Sequence, residues 1–342
     1  MSASPAARDQ SAAFALLDLI QGSVITQAIY VAARLGIADI LSEGPLTAGE
    51  IAKRAEADPE ATYRLLRALS GYSVFAERDD GQFELTPMAG GLRDDAPDSM
   101  RGIALLMGHP LLWEEWGHLI SSVRTGEASM PQLRGMGAYE FLMANPEYAA
   151  AFFQGMGSLS GPETGSVVAA YDFSRFGKIV DVGGGRGALL AGILKRASSS
   201  QGVLFDAPHA TGDAGPVLEA AGVAGRCTIE NGSYFESVPP GGDAYILKHT
   251  LHDFTESQCL AVLKNIRDAI SADGALFVIE YVLTGNNTRH IGNIIDIWLM
   301  LLLGAKERTS AQYAELLASA GFKLTRVVPT TSPVSIIEGV PA

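Results

Sequence analysis

The sequence predicts an α/β protein: a doubly wound, mostly parallel seven-stranded Rossmann-like sheet, six of whose strands the apolar runs mark, preceded by a helical region of winged-helix type. Three observations carry this. From Phe176 onward, short apolar runs alternate with helical stretches, the pattern of an open sheet covered on both faces. The first run, Lys178–Val182, ends in a glycine cluster, at the strand end where such sheets bind ligands. Residues 46–85 read helix, turn, helix, hairpin. The expected divisions are residues 1–100, helical and winged-helix-like; 101–165, linking helices that contribute to a substrate pocket; and 166–342, the ligand-binding and catalytic part.

Taken in order, residues 14–33 form a helix apolar almost all round, through Phe14, Leu17, Ile20, Val24, Ile29 and Val31. It is either part of a core or a subunit interface. Thr47 and Glu50 make a capping box that opens a short helix. Asp58-Pro59 opens another through Tyr63, Leu65, Leu66 and Leu69. Asp80-Gly81 joins runs 74–77 and 82–85 in a hairpin. Residues 100–160 are rich in bulky groups; Met107, Trp113, Phe153 and Met156 are candidates for lining an apolar pocket, against the plainer reading of helical core. Beyond Lys178–Val182, strands are expected at 203–206, 244–247, 275–280, 322–328 and 334–339. Helices are expected at 188–197, 214–221, Glu256–Ala269 and 310–320.

Composition removes several function classes. Of 342 residues, 25 are Lys or Arg and 38 Asp or Glu, a net charge of −13. Residues 1–150 hold 11 basic and 20 acidic residues, the remainder 14 and 18. Neither half is a basic footprint, so no nucleic-acid or membrane partner is expected. This includes Arg64 and Arg67 of the winged-helix region. Cys227 and Cys259 have no metal or redox spacing, which fits a reducing, cytoplasmic setting. The stretch 1–14 lacks a basic segment before an apolar core, so no export signal is expected. Apolar runs such as 297–303 are too short to span a bilayer.

The sharpest local signal is Asp181-Val182-Gly183-Gly184-Gly185-Arg186-Gly187-Ala188, with Asp206 ending the next strand. Gly183, Gly185 and Ala188 satisfy GxGxxA, which a dinucleotide site also satisfies. Asp181, expected at the mouth of the loop, would repel a pyrophosphate and attract the ammonium and sulfonium of S-adenosylmethionine. Adenosylmethionine, a dinucleotide and a plain structural turn all remain readings of this motif.

The third strand runs into Leu247-Lys248-His249-Thr250-Leu251-His252-Asp253-Phe254. His252, past a strand's carboxyl end, is a candidate general base. Glu280 and Glu307 are candidates for holding its far ring nitrogen. His249, three residues earlier, is expected on the opposite side of the turn. Along the apolar helix 296–303, Asp296, Trp298 and Met300 are further substrate-pocket candidates, core packing being the alternative. No Asp/His clustering suggests a metal site, and none is expected.

The chain resembles the class I S-adenosylmethionine-dependent O-methyltransferases of the plant caffeate and bacterial natural-product type. The resemblance runs through residues 180–187, then Phe205-Asp206-Ala207-Pro208-His209, Asn231-Gly232-Ser233-Tyr234-Phe235, the 247–254 segment, and Gly304-Ala305-Lys306-Glu307-Arg308-Thr309. It implies the cofactor S-adenosyl-L-methionine and a homodimer formed through the N-terminal domain. It also implies a small aromatic or polyketide-like acceptor. Gly183, Gly184 and Gly185 would cradle the methionine part, and Asp206 with Ala207 would meet the ribose. Gly232, Ser233, Tyr234 and Phe235 would lie against adenine, and Lys248 would contact the cofactor. His252 would be the base, with Glu280 and Glu307 around it and Asp253 orienting.

Three positions depart from the family pattern. Ser233 stands where an Asp is frequent, and His249 and Phe254 stand where Trp is. The Ser233 change removes a charged acceptor for the adenine amine, and the other two are expected to reshape the acceptor pocket. Rival readings are nitrogen or carbon methylation or non-methylating chemistry on the same scaffold, a nicotinamide dehydrogenase, and a metabolite-binding winged-helix regulator.

Overall fold

Seven strands build the central sheet: β1 (Lys178–Val182), β2 (Gln201–Asp206), β3 (Cys227–Asn231), β4 (Gly242–Lys248), β5 (Ile270–Glu280), β6 (Phe322–Pro329) and β7 (Ser335–Pro341). Their order is β3-β2-β1-β4-β5-β7-β6. Strands β1 to β5 pair in parallel, and β7 runs antiparallel to both β5 and β6. The strand order turns back between β1 and β4, so the loops leaving their carboxyl ends diverge and open a crevice. The computed structural model describes residues 12–342. Most of the stretch on which the export-signal expectation rests lies outside the described residues.

The chain separates into two compact units, one of residues up to 114 with 145–159, the other of 115–144 with 160–342. Residues 101–165 are thus shared between them. The sheet belongs to the second unit, and alternation along its strands feeds two apolar layers. Ile179, Leu204, Ile246, Phe277 and Ile279 face the helix Ala188–Arg196 through Leu190, Ile193 and Leu194. Val180, Val182, Tyr245, Leu247 and Val278 face the helices Glu256–Ala269 and Ser310–Ser319 through Val262, Ile266, Tyr313 and Leu317. Burial on both faces is why these strands read as nearly continuous apolar runs. Each large apolar side chain removed from water contributes roughly 1.5–3 kcal/mol.

The expected strands and helices appear within a few residues of their predicted bounds. Strand β3 was not foreseen. It is the sheet's exposed edge, its sequence Cys-Thr-Ile-Glu-Asn is mostly polar, and its residues from Thr228 on are solvent-exposed.

In the first unit, Thr47 and Glu50 form the capping box, with Thr47 N donating to Glu50 Oε2 at 2.8 Å. Asp58 caps the helix Pro59–Ser70 through Ala61 N at 2.8 Å. Strands Phe75–Glu77 and Gln82–Leu85 pair as a hairpin, and Leu46–Thr47 adds a third strand. This is the winged-helix arrangement, packed around Ile51, Leu66, Leu69, Phe75 and Phe83.

The helix Ala12–Arg34 corrects one expectation. It is long and apolar enough, by length and composition, to cross a membrane. Small residues extend its apolar character beyond any continuous bulky run. Phe14, Leu16, Leu19, Ile20 and Val24 are exposed, while only Ala32 and Ala33 are buried.

Arg226 fastens the edge of the sheet to the preceding helix. Its guanidinium donates to the carbonyls of Leu194 (2.7 Å) and Ala197 (3.1 Å), groups that the end of the helix Ala188–Arg196 leaves unpaired, and to that of Ser200 (2.7 Å) in the turn before β2. Arg226→Met is expected to lower the stability of the sheet unit by about 2 kcal/mol, read as a reduced urea midpoint with an unchanged slope. An unchanged midpoint would show that water replaces these bonds at no cost.

Candidate active site

The loop after β1 runs on glycine because no side chain fits it. Gly183, Gly185 and Gly187 have φ of +71°, +54° and +77°, values that L side chains rarely adopt. Gly184 has an ordinary φ, but a Cβ there would stand 2.5 Å from Leu204 Cδ1 and 2.7 Å from the Asp181 carboxylate. Asp181 therefore lies beneath the loop, 1% exposed, and not at its mouth as the sequence reading had it. Burial pushes its pKa up to about 7; Asp206 adds to the rise and Lys248 opposes it. Its Oδ2 has no hydrogen-bond partner among the described residues.

Asp206, half-buried at the end of β2, accepts from Gly185 N (2.9 Å) and Ala207 N (2.7 Å). Gly232 follows β3 and packs on Phe205, which a Cβ would approach to 2.8 Å. Ser233 is half-buried beside it. Tyr234, Phe235 and Phe254 form an aromatic group with ring centroids 4.9–5.9 Å apart. Phe254 thus packs against the segment after β3. The β4 end reaches the glycine loop, since a Cβ on Gly183 would lie 3.1 Å from Thr250 Oγ1. A bare backbone with carboxylates at hand fits a ligand carrying positive charge and hydroxyls better than a pyrophosphate.

Beyond β4, the turn that carries His252 is pinned by Glu280, the last residue of β5. Glu280 is fully buried, and its Oε1 accepts from the amides of Thr250 (3.1 Å), Leu251 (3.0 Å) and His252 (3.4 Å). His252 Nδ1 lies 2.7 Å from Glu307 Oε1 and 3.0 Å from Glu280 Oε2. Glu307 is itself set by its amide, which donates to Asp296 Oδ1 at 2.8 Å. The opposite ring nitrogen, Nε2, stands 3.5 Å from Asp253 Oδ1, and Asp253 Oδ2 accepts from the Tyr139 hydroxyl at 2.5 Å.

Charge balance follows from this crowding. Burial alone would lower the His252 pKa, but Glu280, Asp253 and Glu307 prevail and hold it well above the ordinary imidazole value. Burial lifts Glu307 to about 7 against the pull of His252. Burial also works to lift Glu280, yet His252, His249 and the turn amides keep it below the usual carboxylate range. Burial raises Asp253, with His252 and Tyr139 opposing.

His249 is not on the far side of the turn. Its backbone is left-handed (φ +49°), which swings the ring onto His252, nearly stacked at 5.1 Å and 23°. Its Nε2 lies 2.8 Å from Glu163 Oε2, while Nδ1 is buried, unpartnered and 3.9 Å from Glu280 Oε2. Donor atoms of His249, His252 and Glu280 all fall within 4.8 Å of one another, the reach of a metal ion. The sequence suggested no such clustering. His252 Nδ1 already faces Glu307, and Glu280 Oε1 already serves three amides. His249 Nδ1 and Glu280 Oε2 have no hydrogen-bond partner among the described residues.

Glu163 escaped the sequence reading altogether. It accepts from Lys248 Nζ (2.7 Å) as well as His249, and from the Tyr281 hydroxyl (2.8 Å). Its one signal was a carboxylate far along the helix Pro146–Ala170, whose other charge is Glu147 in the first turn.

The pocket candidates divide between the units. Asp296, Trp298 and Met300 lie on the helix Ile291–Leu303; Asp296 braces Glu307, Trp298 is buried with its indole N–H unpartnered, and Met300 is half-buried. In the first unit, Met107 lines an apolar hollow of about 320 Å³ with Ile29, Met88 and Met100. Trp113 donates to the Met107 carbonyl at 2.8 Å, Phe153 is 55% exposed, and Met156 is half-buried.

Two family models match the chain, an O-methyltransferase domain over residues 116–323 and an O-methyltransferase dimerisation domain over residues 17–92. The phenazine O-methyltransferase PhzM of Lysobacter antibioticus is 38% identical over 326 residues, 95% of each chain. The 8-amino-8-demethylriboflavin N,N-dimethyltransferase of Streptomyces davaonensis is 32% identical over 315 residues, covering 91% of this chain and 90% of that one. The crystal structure of CalO1, a methyltransferase in calicheamicin biosynthesis, in its SAH-bound form, superposes with a TM-score of 0.88 at 32% identity, covering 98% of this chain and 100% of that one. With its glycine cradle, its ordered motifs and these matches, the chain belongs to the S-adenosylmethionine-dependent O-methyltransferases, Rossmann-like enzymes of natural-product type with an N-terminal dimerisation domain.

Proposed function

We propose that this enzyme methylates a hydroxyl of a small aromatic or polyketide-like natural product, with His252 as general base and no metal. One observation supports this above the others. His252 lies two residues after Thr250, which packs on Gly183 of the cofactor loop, and its Nδ1 is hydrogen-bonded to Glu307 and faces Glu280, so Nε2 is the nitrogen left for an acceptor proton. When bound, S-adenosylmethionine supplies an electrophilic methyl group. A phenol of pKa near ~10 attacks weakly until it loses its proton. His252 Nε2 takes that proton as the oxygen attacks, and Glu280 and Glu307 stabilise the imidazolium that forms. Asp253, anchored by Tyr139, keeps the ring from turning.

The same reading gives the remaining residues their tasks. Gly183, Gly184 and Gly185 admit the methionine part, and Asp206 with Ala207 receives the ribose. Gly232, Ser233, Tyr234 and Phe235 lie along the adenine, and Lys248 touches the cofactor. His249, Asp296, Trp298 and Met300, all in the sheet unit, line the acceptor site. The phenazine enzyme among the relatives, with its name for a flat polycyclic compound, supports an aromatic acceptor.

A second reading, transfer to an aromatic amine, draws on the N,N-dimethyltransferase relative. A neutral amine attacks through its lone pair, so it needs no base beforehand. A panel of hydroxylated and amino-substituted polycyclic aromatics, assayed with labelled cofactor, identifies the acceptor class. On a hydroxyl acceptor, His252→Ala is expected to lower kcat by roughly 10²–10⁴-fold with cofactor binding retained. Near-normal turnover would remove the base and favour the amine.

The pH profile provides a separate check. His252 must be neutral to accept a proton, so activity falls as pH drops through its pKa. That acid limb is expected above the ordinary histidine range, because the carboxylates raise the pKa. Glu307→Gln removes one of them and is expected to move the limb to lower pH; a stationary limb would assign it to another group.

We also propose that the helix Ala12–Arg34 contributes to a homodimer. Its exposed Leu19 (79%) and Ile20 (62%) are costly to leave in water. Leu19→Asp with Ile20→Asp is expected to yield monomer in sedimentation velocity, where wild type sediments as a dimer. Persistence of the dimer would place the interface elsewhere.

A further inference from the structure

The 25 residues of the helix Pro146–Ala170 carry two charges, Glu147 and Glu163. Glu163 lies in the sheet unit, its side chain 5% exposed. A carboxylate taken out of water is costly unless paired and hydrogen-bonded. Here both oxygens are used. Oε2 accepts from Lys248 Nζ (2.7 Å) and His249 Nε2 (2.8 Å), and Oε1 accepts from the Tyr281 hydroxyl (2.8 Å). Ser160, one turn earlier, accepts a further bond from Lys248 at 2.9 Å. These donors outweigh burial and hold the Glu163 carboxyl down at about 2, so it stays ionised.

The location gives this pair its meaning. Lys248 ends β4, adjacent to β1, and Thr250 two residues later packs on Gly183 of the cofactor loop. The Lys248 side chain is 9% exposed, so water screens its ammonium poorly. The ligand of that loop carries a sulfonium. Two cations in a poorly screened site repel strongly. An unpaired ammonium would therefore disfavour the charged methyl donor and favour its neutral product.

We infer that Glu163 is a positioning residue for cofactor recognition: its carboxylate cancels the Lys248 charge beside the glycine loop, so that Lys248 anchors the cofactor without repelling the sulfonium. This rests on the reading of Gly183–Gly185 as the adenosylmethionine loop. The same carboxylate holds His249 against His252. A residue serving only the fold would weaken binding of both cofactor forms alike. Charge cancellation discriminates between them.

The test is calorimetric titration of full-length wild type, E163Q, K248M and the double variant with S-adenosylmethionine and with S-adenosylhomocysteine. These ligands differ by one methyl group and one positive charge. Wild type is expected to bind both. E163Q is expected to lose about tenfold more affinity for the sulfonium than for the thioether. K248M, which leaves the carboxylate unmatched, is expected to shift the ratio the opposite way, and the double variant to return it towards wild type. Equal weakening of both ligands by E163Q, or a K248M ratio that stays at the wild-type value, overturns the proposal. The K248M arm decides alone if E163Q does not fold. Wild type binding neither ligand overturns the reading of the loop itself, and the proposal with it.

Discussion

One carboxylate, Glu280, joins the sheet to the chemistry. It is fully buried at the end of β5, and three successive amides of the turn after β4 converge on one of its oxygens. The other oxygen faces His252. Neighbouring parallel strands are therefore locked not only by their ladder but by a charged bond between one strand's end and the next strand's turn. The position of the imidazole follows from the register of β4 against β5, in which Lys248 pairs with Ile279. Were that register to slip by one residue, Glu280 would point to the other face and the turn would lose its anchor.

Around this joint the unit keeps an unusual density of buried charge. Asp181, Glu163, Glu280, Glu307, Lys248, His249 and His252 all have little exposure. Their energetics diverge by partner. Cations and amide donors outweigh burial at Glu163 and Glu280, which stay ionised, while burial prevails at Asp181 and Glu307, which rise to about 7. Such division among similar side chains marks functional ground, because a purely structural core would place apolar groups there at lower cost.

Much of this was visible in the chain before folding. The strand Lys178–Val182, its glycines, Asp206 and His252 are local signals, each set within a few residues of its neighbours. Glu280 and Glu307 were also legible, as acids in the right order along the chain. What escaped was set by tertiary contact. Glu163 meets His249 across 86 residues. His249 reaches His252 because of a left-handed backbone that histidine seldom adopts and no propensity announces. Strand β3, polar and at the edge, lacks the apolar pattern that betrays interior strands. Asp181 was placed at the loop's mouth by analogy with its charge, yet the crowding at Gly184 puts it underneath.

The antiparallel insertion of β7 between β5 and β6 has a consequence for biosynthesis. Residues 335–341 emerge after every other strand, and they fill an interior slot. Until they arrive, β5 displays a bare hydrogen-bonding edge of apolar residues, Leu276 to Ile279, beside an orphaned β6. Non-local pairing of this kind is slow to form and open to wrong partners while it waits. Glu338 seals the slot once β7 is seated, gathering Tyr171, Arg175 and Arg326 from distant segments. The nascent enzyme thus passes through a stage in which β5 is made but has no neighbour on one side, and the sheet closes only once residues 335–341 have been added.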